Sequence, residues 1–233
     1  MKTIGLIGGM SWESTVGYYT AINEGIKQKL GGLHSAKLVI YSVDFAPVAA
    51  MQGSGDWIAA AEAMVDAARR LEAAGADCVL IGANTMHKVA PEVQNAIRIP
   101  LLHIADATGE VLAKNGIRTA GLLGTAFTME QDFYRGKLER DHGMNILIPK
   151  EPDRETVHRI IYEELCLGTL ETASKKELLR IIDDLAQRGA EGVILGCTEI
   201  GMLVTQADTG MKLFDTTAIH AAKAVEFATS EQK

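Results

Sequence analysis

Two short runs carry the residues best suited to chemistry. "EGVILGCTEIG" spans Glu191 to Gly201, and "DCVLIGANTMH" spans Asp77 to His87. Each follows a Gly-Ala pair, and setting Gly189 on Gly75 superimposes them at an offset of 114 residues. Cys197 then falls on Ala83, and Thr198 on Asn84. A thiol at a strand end, before a helix start, is suited to acid/base or nucleophilic work. A helix N-terminus lowers a thiol pKa from its free value of about 8.5. The polar neighbours Thr198 and Glu199 favour that role for Cys197 over a buried structural one. A methyl group at Ala83 can do none of this. Cys78, opening an apolar strand, and Cys166, on a helix, read as structural.

The histidines are less informative. His87 fits either the site or a helix surface. His103 lies in an apolar run and reads as a hydrogen-bonded core residue. His34, His142 and His158 read as surface positions, and His220, beyond Asp215, as facing the site. No pair has metal-ligand spacing, and neither H-E-x-x-H nor C-x-x-C occurs, so no metal is expected.

Four loops sit at predicted strand ends: "GGMSWEST", "GANTMH", "GTAFTME" and "GCTEIG". They are rich in Gly, Ser and Thr and adjoin helix N-termini, whose N–H groups hold anions. None matches a phosphate motif. "GLIGG" lacks the G-x-G-x-x-G spacing, and no Walker sequence is present. The expected ligand is a small carboxylate.

The elements that position these loops alternate. Strands are expected at "KTIGLIGG", "AKLVIYSVDF", "DCVLIGA", "IPLLHIADAT", "IRTAGLLGT", "MNILIP" and "EGVILGCTE", with a small one before the terminal helix. Helices are expected over "SWESTVGYYTAINEGIKQKLGG", "DWIAAAEAMVDAARRLEAAGA", "TMEQDFYRGKLERDHG", "DRETVHRIIYEELCLG" and "SKKELLRIIDDLAQRGA", and "NTMHKVAPEVQNAI" reads as a helix entry. Such alternation predicts parallel sheets flanked by helices. The fold class is α/β: two pseudo-symmetric, Rossmann-like parallel-sheet domains with the active site in the cleft between them, at strand carboxyl ends. The domains are drawn as 1–98 plus about 213–233, and 99–212.

The chain has 233 residues, 47% hydrophobic and 5% aromatic, with a net charge of −7. That charge argues against nucleic acid as a partner. No run is apolar and long enough to span a bilayer, and the N-terminus is no signal peptide, so a soluble cytoplasmic protein is expected. Three widely spaced cysteines make no disulfide framework and suit a reducing compartment.

"IGLIGGMSWEST", "NTMH" and "GCTEI", in this order and spacing, resemble the aspartate/glutamate racemase family over nearly the whole chain. The resemblance implies a cofactor-independent amino acid racemase, frequently a homodimer, acting on a small amino acid or carboxylate. Two thiols on opposite faces of the substrate Cα remove and return the α-proton. Cys197 fills the second thiol position, and Ala83 stands at the first. Asn84, Thr85, Thr198 and Glu199 are then expected to hold the substrate. Met10 walls the pocket, Thr125 and Thr128 complete it, and Gln52 bears on specificity. Gln52 and Cys166 stand near positions where typical aspartate racemases carry cationic side chains, which widens the expected range towards neutral amino acids. Ala83 leaves three accounts open: engineered removal of a thiol, a one-sided enzyme, or an acid such as a bound water. The alternatives to a racemase are a one-sided carbanion enzyme resembling arylmalonate decarboxylases and a non-catalytic binder of small carboxylates.

Overall fold

A computed structural model describes residues 1–230. The chain divides into two compact units, one of Met1–Ile104 with the chain from His220, the other of Ala105–Ile219. The sequence reading sets these boundaries a few residues earlier in the chain.

The first unit is built on three parallel strands, β1 (Ile4–Gly8), β2 (Leu38–Ser42) and β3 (Cys78–Ile81), in the order β2-β1-β3. Their side chains alternate between two cores. Ile4, Leu6, Cys78 and Leu80 face one cluster, and Ile7, Val79 and Ile81 face the other. A strand buried on both faces reads as an unbroken apolar run, which is why "IGLI" and "CVLI" show no polar alternation.

The helix Trp12–Leu30 covers the first face. The Ser11 hydroxyl accepts from the Ser14 N–H at its start, and Gly31, at φ 75°, ends it. Its buried positions Ser14, Tyr18, Ile22 and Ile26 recur every four residues. The helix Trp57–Ala73 covers the other face through Ala60, Met64, Ala67, Ala68 and Leu71. The last helix, Thr216–Thr229, begins in the second unit and ends in the first, where Ala221, Ala224, Val225 and Ala228 join the cluster around Leu6 and Tyr18.

The second unit holds four parallel strands, β4 (Thr119–Gly124), β5 (Asn145–Leu147), β6 (Gly192–Gly196) and β7 (Leu213–Asp215), in the order β5-β4-β6-β7. The centre of this sheet is the β4–β6 pair, with Gly124 opposite Gly196 at the carboxyl ends. Both glycines are required there. A Cβ on Gly196 would meet the Leu123 carbonyl oxygen at 2.8 Å, and one on Gly124 would meet the Gly196 oxygen at 2.9 Å.

Three segments differ from expectation. "IPLLHIADAT" is not a strand. It makes a single bridge, Leu101 to Val79, and then enters a helix, Ile104–Lys114. Pro100 brings no N–H, the Leu101 N–H goes to the Gln94 side chain, and the buried positions from Ile104 onward follow helical spacing. The helix expected over "TMEQDFYRGKLERDHG" is two, Ala126–Glu130 and Arg135–His142. Fully buried Tyr134, its hydroxyl on the Thr108 oxygen at 3.4 Å, interrupts them, because burying that ring outweighs helix propensity. Phe45–Ser54, capped by Asp44, is a helix absent from the sequence reading. Among the described residues, no helix is long and apolar enough to cross a membrane.

Candidate active site

Cys197 follows β6 directly, and its thiol is almost fully buried. Sγ donates to Glu199 Oε2 at 2.9 Å, and the Thr198 hydroxyl donates to the same oxygen at 2.8 Å. Glu199 is itself buried. One carboxylate oxygen therefore gathers two donors from its immediate neighbours.

This arrangement reverses the expectation for the thiol. Burial pushes the Cys197 pKa well above its ordinary value, and the Glu199 and Cys166 charges push it the same way. The helix that follows, Ile200–Leu203, has four residues, too few to build a dipole that competes with burial. At neutral pH Cys197 is a thiol, and its proton points at a carboxylate.

Three further groups of this unit gather there; sequence reasoning missed Tyr162 and His158, and set Cys166 near the site only through the family resemblance. Tyr162 is coupled electrostatically to Cys197, Cys166 and Glu199, and burial raises its phenol above the ordinary range. Cys166, taken as structural, lies in the turn Leu165–Leu167 and couples to Cys197. His158, taken as a surface residue, is half-buried. Its Nδ1 accepts the Ala126 N–H at 3.2 Å, and its ring lies 4.8 Å from that of Tyr162. Burial lowers its pKa. The legible signal was spacing: His158 and Tyr162 are four apart on the helix Glu151–Glu163, hence on one face.

The loop after β4 is tied to the same place. Thr125 caps Ala126–Glu130, accepting the Thr128 N–H, and the two hydroxyls lie 3.2 Å apart. Thr128 is fully buried, with its side chain packed against Gly124 and Gly196. Its visible work is to fit the two strand ends together.

In the first unit, Ala83, Asn84 and Thr85 follow β3 closely, and all three are buried. Asn84 has helical backbone angles and makes no side-chain cap bond to the 3-10 turn Thr85–Val89. Met10 is buried in the core cluster that also holds Ala83 and Met86. The Gly8-Gly9 turn before it needs glycine: Gly9 has φ 90°, and a Cβ there would overlap the Val43 carbonyl oxygen. Gln52 is buried, its amide donating to Met86 Sδ at 3.0 Å. His87, weighed against a helix surface, is buried. His103, expected in the core of a strand, lies in the irregular segment before Ile104–Lys114 and is only partly buried.

A thiol, a carboxylate and a phenol gathered at strand carboxyl ends suit proton transfer to carbon. Comparison with known proteins fixes the class. The Asp/Glu/Hydantoin racemase family model matches residues 7–224. The chain belongs to the Asp/Glu/Hydantoin racemase family. It is similar to the crystal structure of a candidate Asp/Glu racemase from Yersinia pestis, at 51% identity and a TM-score of 0.91, covering 99% of this chain and 100% of that one. It is similar to an aspartate racemase homologue from Pyrococcus horikoshii OT3, at 37% identity and a TM-score of 0.83, with the same shares covered. The broad specificity amino-acid racemase RacX of Bacillus subtilis is 24% identical over 164 residues, 70% of each chain. The protein is thus an isomerase, an amino acid racemase by family.

Proposed function

We propose that this racemase works without a cofactor, with Cys197 as its acid/base and Glu199 as the group that exchanges a proton with it. The observation that carries this reading is the 2.9 Å bond from Sγ to Glu199 Oε2 in a buried setting. Two negative charges at that distance, out of water, repel strongly, so a Cys197 thiolate forms only as its proton moves to Glu199. With the proton on sulfur, Cys197 is an acid able to protonate a carbanion. With it on Glu199, sulfur is a base able to take the substrate α-proton. The ammonium group of an amino acid substrate stabilises that second state.

Ala83 stands where the offset repeat calls for a second thiol, and its methyl has no proton to give. Asn84, Thr85 and Thr198 are proposed to hold the substrate carboxylate, and Gln52, uncharged, to leave the range open to neutral amino acids. Partners are small amino acids, with a homodimer as the working assembly in the cytoplasm. On this reading one enantiomer exchanges its α-proton with solvent faster than it inverts. Single enantiomers of aspartate, glutamate and neutral amino acids in D₂O test it, with NMR following Hα loss and chiral chromatography following inversion. Inversion at the same rate as exchange, from both enantiomers, would refute the one-sided account. Absence of exchange from any amino acid would refute the racemase chemistry assigned to Cys197.

A further inference from the structure

Proton transfer at Cys197 leaves unused a group of histidines in the first unit. His87 is 1% exposed. Its Nδ1 lies 2.8 Å from the Ala83 carbonyl oxygen, and its Nε2 lies 3.2 Å from the Ile104 nitrogen. A carbonyl oxygen only accepts and a backbone N–H only donates, so Nδ1 carries the hydrogen and Nε2 accepts. Both partners fix the same neutral tautomer.

His220 is fixed in the opposite one. Its Nε2 donates to the Leu102 carbonyl at 2.6 Å, and its Nδ1 accepts the Tyr18 hydroxyl at 2.9 Å. The His220 ring centre is 5.8 Å from that of His87, and the His103 ring is 4.6 Å from it. The histidines therefore hold three backbone groups of two segments. One is the turn that begins at Ala83, separated by one residue from the end of β3. The other is 102–104, ending at the last residue of the unit before the chain leaves it.

We propose that His87 is a positioning residue, which ties the Ala83 turn to Ile104 and thereby sets where Asn84 and Thr85 stand. It touches no reacting atom in this scheme. Its effect on a substrate rests on the reading above, in which Asn84 and Thr85 hold the carboxylate. The effect on the backbone does not.

Two variants separate the bonds. His87→Asn places an amide near Nδ1 and keeps the bond to Ala83. His87→Gln places a carbonyl near Nε2 and keeps the bond to Ile104. In the ¹⁵N-labelled full chain, long-range ¹H–¹⁵N correlation at pH 7 is expected to show His87 as the Nδ1–H tautomer and His220 as the Nε2–H tautomer. The Ile104 amide is expected to exchange with D₂O about tenfold faster in His87→Asn, and at the native rate in His87→Gln. With L-aspartate as probe, followed by Hα exchange, KM is expected to rise about tenfold in both variants with kcat less affected, since each breaks one end of the tie. A histidine serving stability alone would weaken both variants without splitting KM from kcat. An Nε2–H or cationic His87 at pH 7, native Ile104 exchange in His87→Asn, or an unchanged KM in either variant would overturn the proposal. If L-aspartate and every other amino acid fail to exchange in wild type, the racemase chemistry falls, while the tautomers and Ile104 exchange still decide the tie. If a variant does not fold, the wild-type tautomers and Ile104 protection decide it.

Discussion

Acidification should destabilise the first unit through His220, by an amount that follows from its burial. Burial pushes this imidazole from an ordinary 6.5 down to about 4, only partly offset by the bond to Leu102. The neutral ring accepts from Tyr18 and donates to Leu102, so a second proton has no place without breaking the Tyr18 bond. The unfolded chain takes that proton near pH 6.5, and the folded chain does not. Below 6.5 the unfolded state binds more protons, so stability falls with pH and the loss saturates near pH 4. The whole interval corresponds to about 3 kcal/mol, of which about 2 kcal/mol lies between pH 7 and pH 5.

His220→Gln supplies the control. Its amide can still donate to Leu102, it cannot titrate, and it leaves the Tyr18 hydroxyl without its acceptor. At pH 7 the variant should be less stable by about 1–3 kcal/mol. By pH 5 that gap should close by about 2 kcal/mol. Urea unfolding followed by tryptophan fluorescence reads the correct unit, since Trp12 and Trp57 both lie in the unit that contains His220. A gap constant from pH 7 to pH 5, or an NMR titration placing His220 near 6.5, would refute the reasoning.

Further expectations concern the second unit. Cys197→Ser should lower Hα exchange by at least about 10²-fold with little change in unfolding midpoint, since a serine hydroxyl is a far weaker acid than a thiol. Wild-type exchange in that variant would exclude a thiol mechanism. Glu199→Gln removes a charge that raises the Cys197 pKa, so site-resolved alkylation by mass spectrometry should show Cys197 ionising at lower pH, still above an exposed cysteine because burial remains. Exchange should nevertheless fall, the Sγ proton having lost its carboxylate. Gly196→Ala forces a Cβ to 2.6 Å from Leu122 Cδ1 and 2.8 Å from the Leu123 oxygen, and should cost about 1–3 kcal/mol in thermal or urea unfolding.

Much of this scaffold is legible in the sequence because its signals are local. Strands β1, β3, β4 and β6 are apolar runs closed by glycine, and helix Trp12–Leu30 carries its cap at Ser11 and its stop at Gly31. What escapes reading depends on contacts far along the chain. The helix Ile104–Lys114 hides behind an apolar run after Pro100, where a short stretch suits strand or helix equally. His158 looks like a surface residue until its helix is seen bracing the Ala126 amide. The Cys197 loop is legible as a site, yet its electrostatics are not. A helix start argues for a depressed thiol pKa, whereas burial and Glu199, known only from the fold, argue the other way and win.

That electrostatic setting differs between the two copies of the repeated strand end, and the difference predicts what a restored thiol would do. The offset that sets Cys197 on Ala83 also sets Glu199 on Thr85 and Gly201 on His87. Where His87 fills its place with a ring bonded to the Ala83 carbonyl, Gly201 leaves room for Asp215, whose Oδ2 lies 2.7 Å from where a Cβ would stand. The second copy thus places carboxylates around its turn, and the first places a neutral imidazole and a hydroxyl. Ala83 and Cys197 are both buried, so burial raises a thiol at either position. Only Cys197 has a carboxylate two residues on, in contact with it. In Ala83→Cys the new thiol should therefore ionise at lower pH than Cys197, so that between the two ionisations the molecule carries one thiolate and one thiol. Racemisation needs that pairing, and general acid–base assistance is worth about 10²–10⁴-fold, so inversion should rise towards that range above the Ala83 protein. Alkylation as a function of pH, resolved by site, measures the order of ionisation, and chiral chromatography measures the gain. Equal ionisation of the two thiols would show that Glu199 is not what holds the Cys197 proton. A correct order with no gain in inversion for any amino acid would show that position 83 does not serve as the second acid/base.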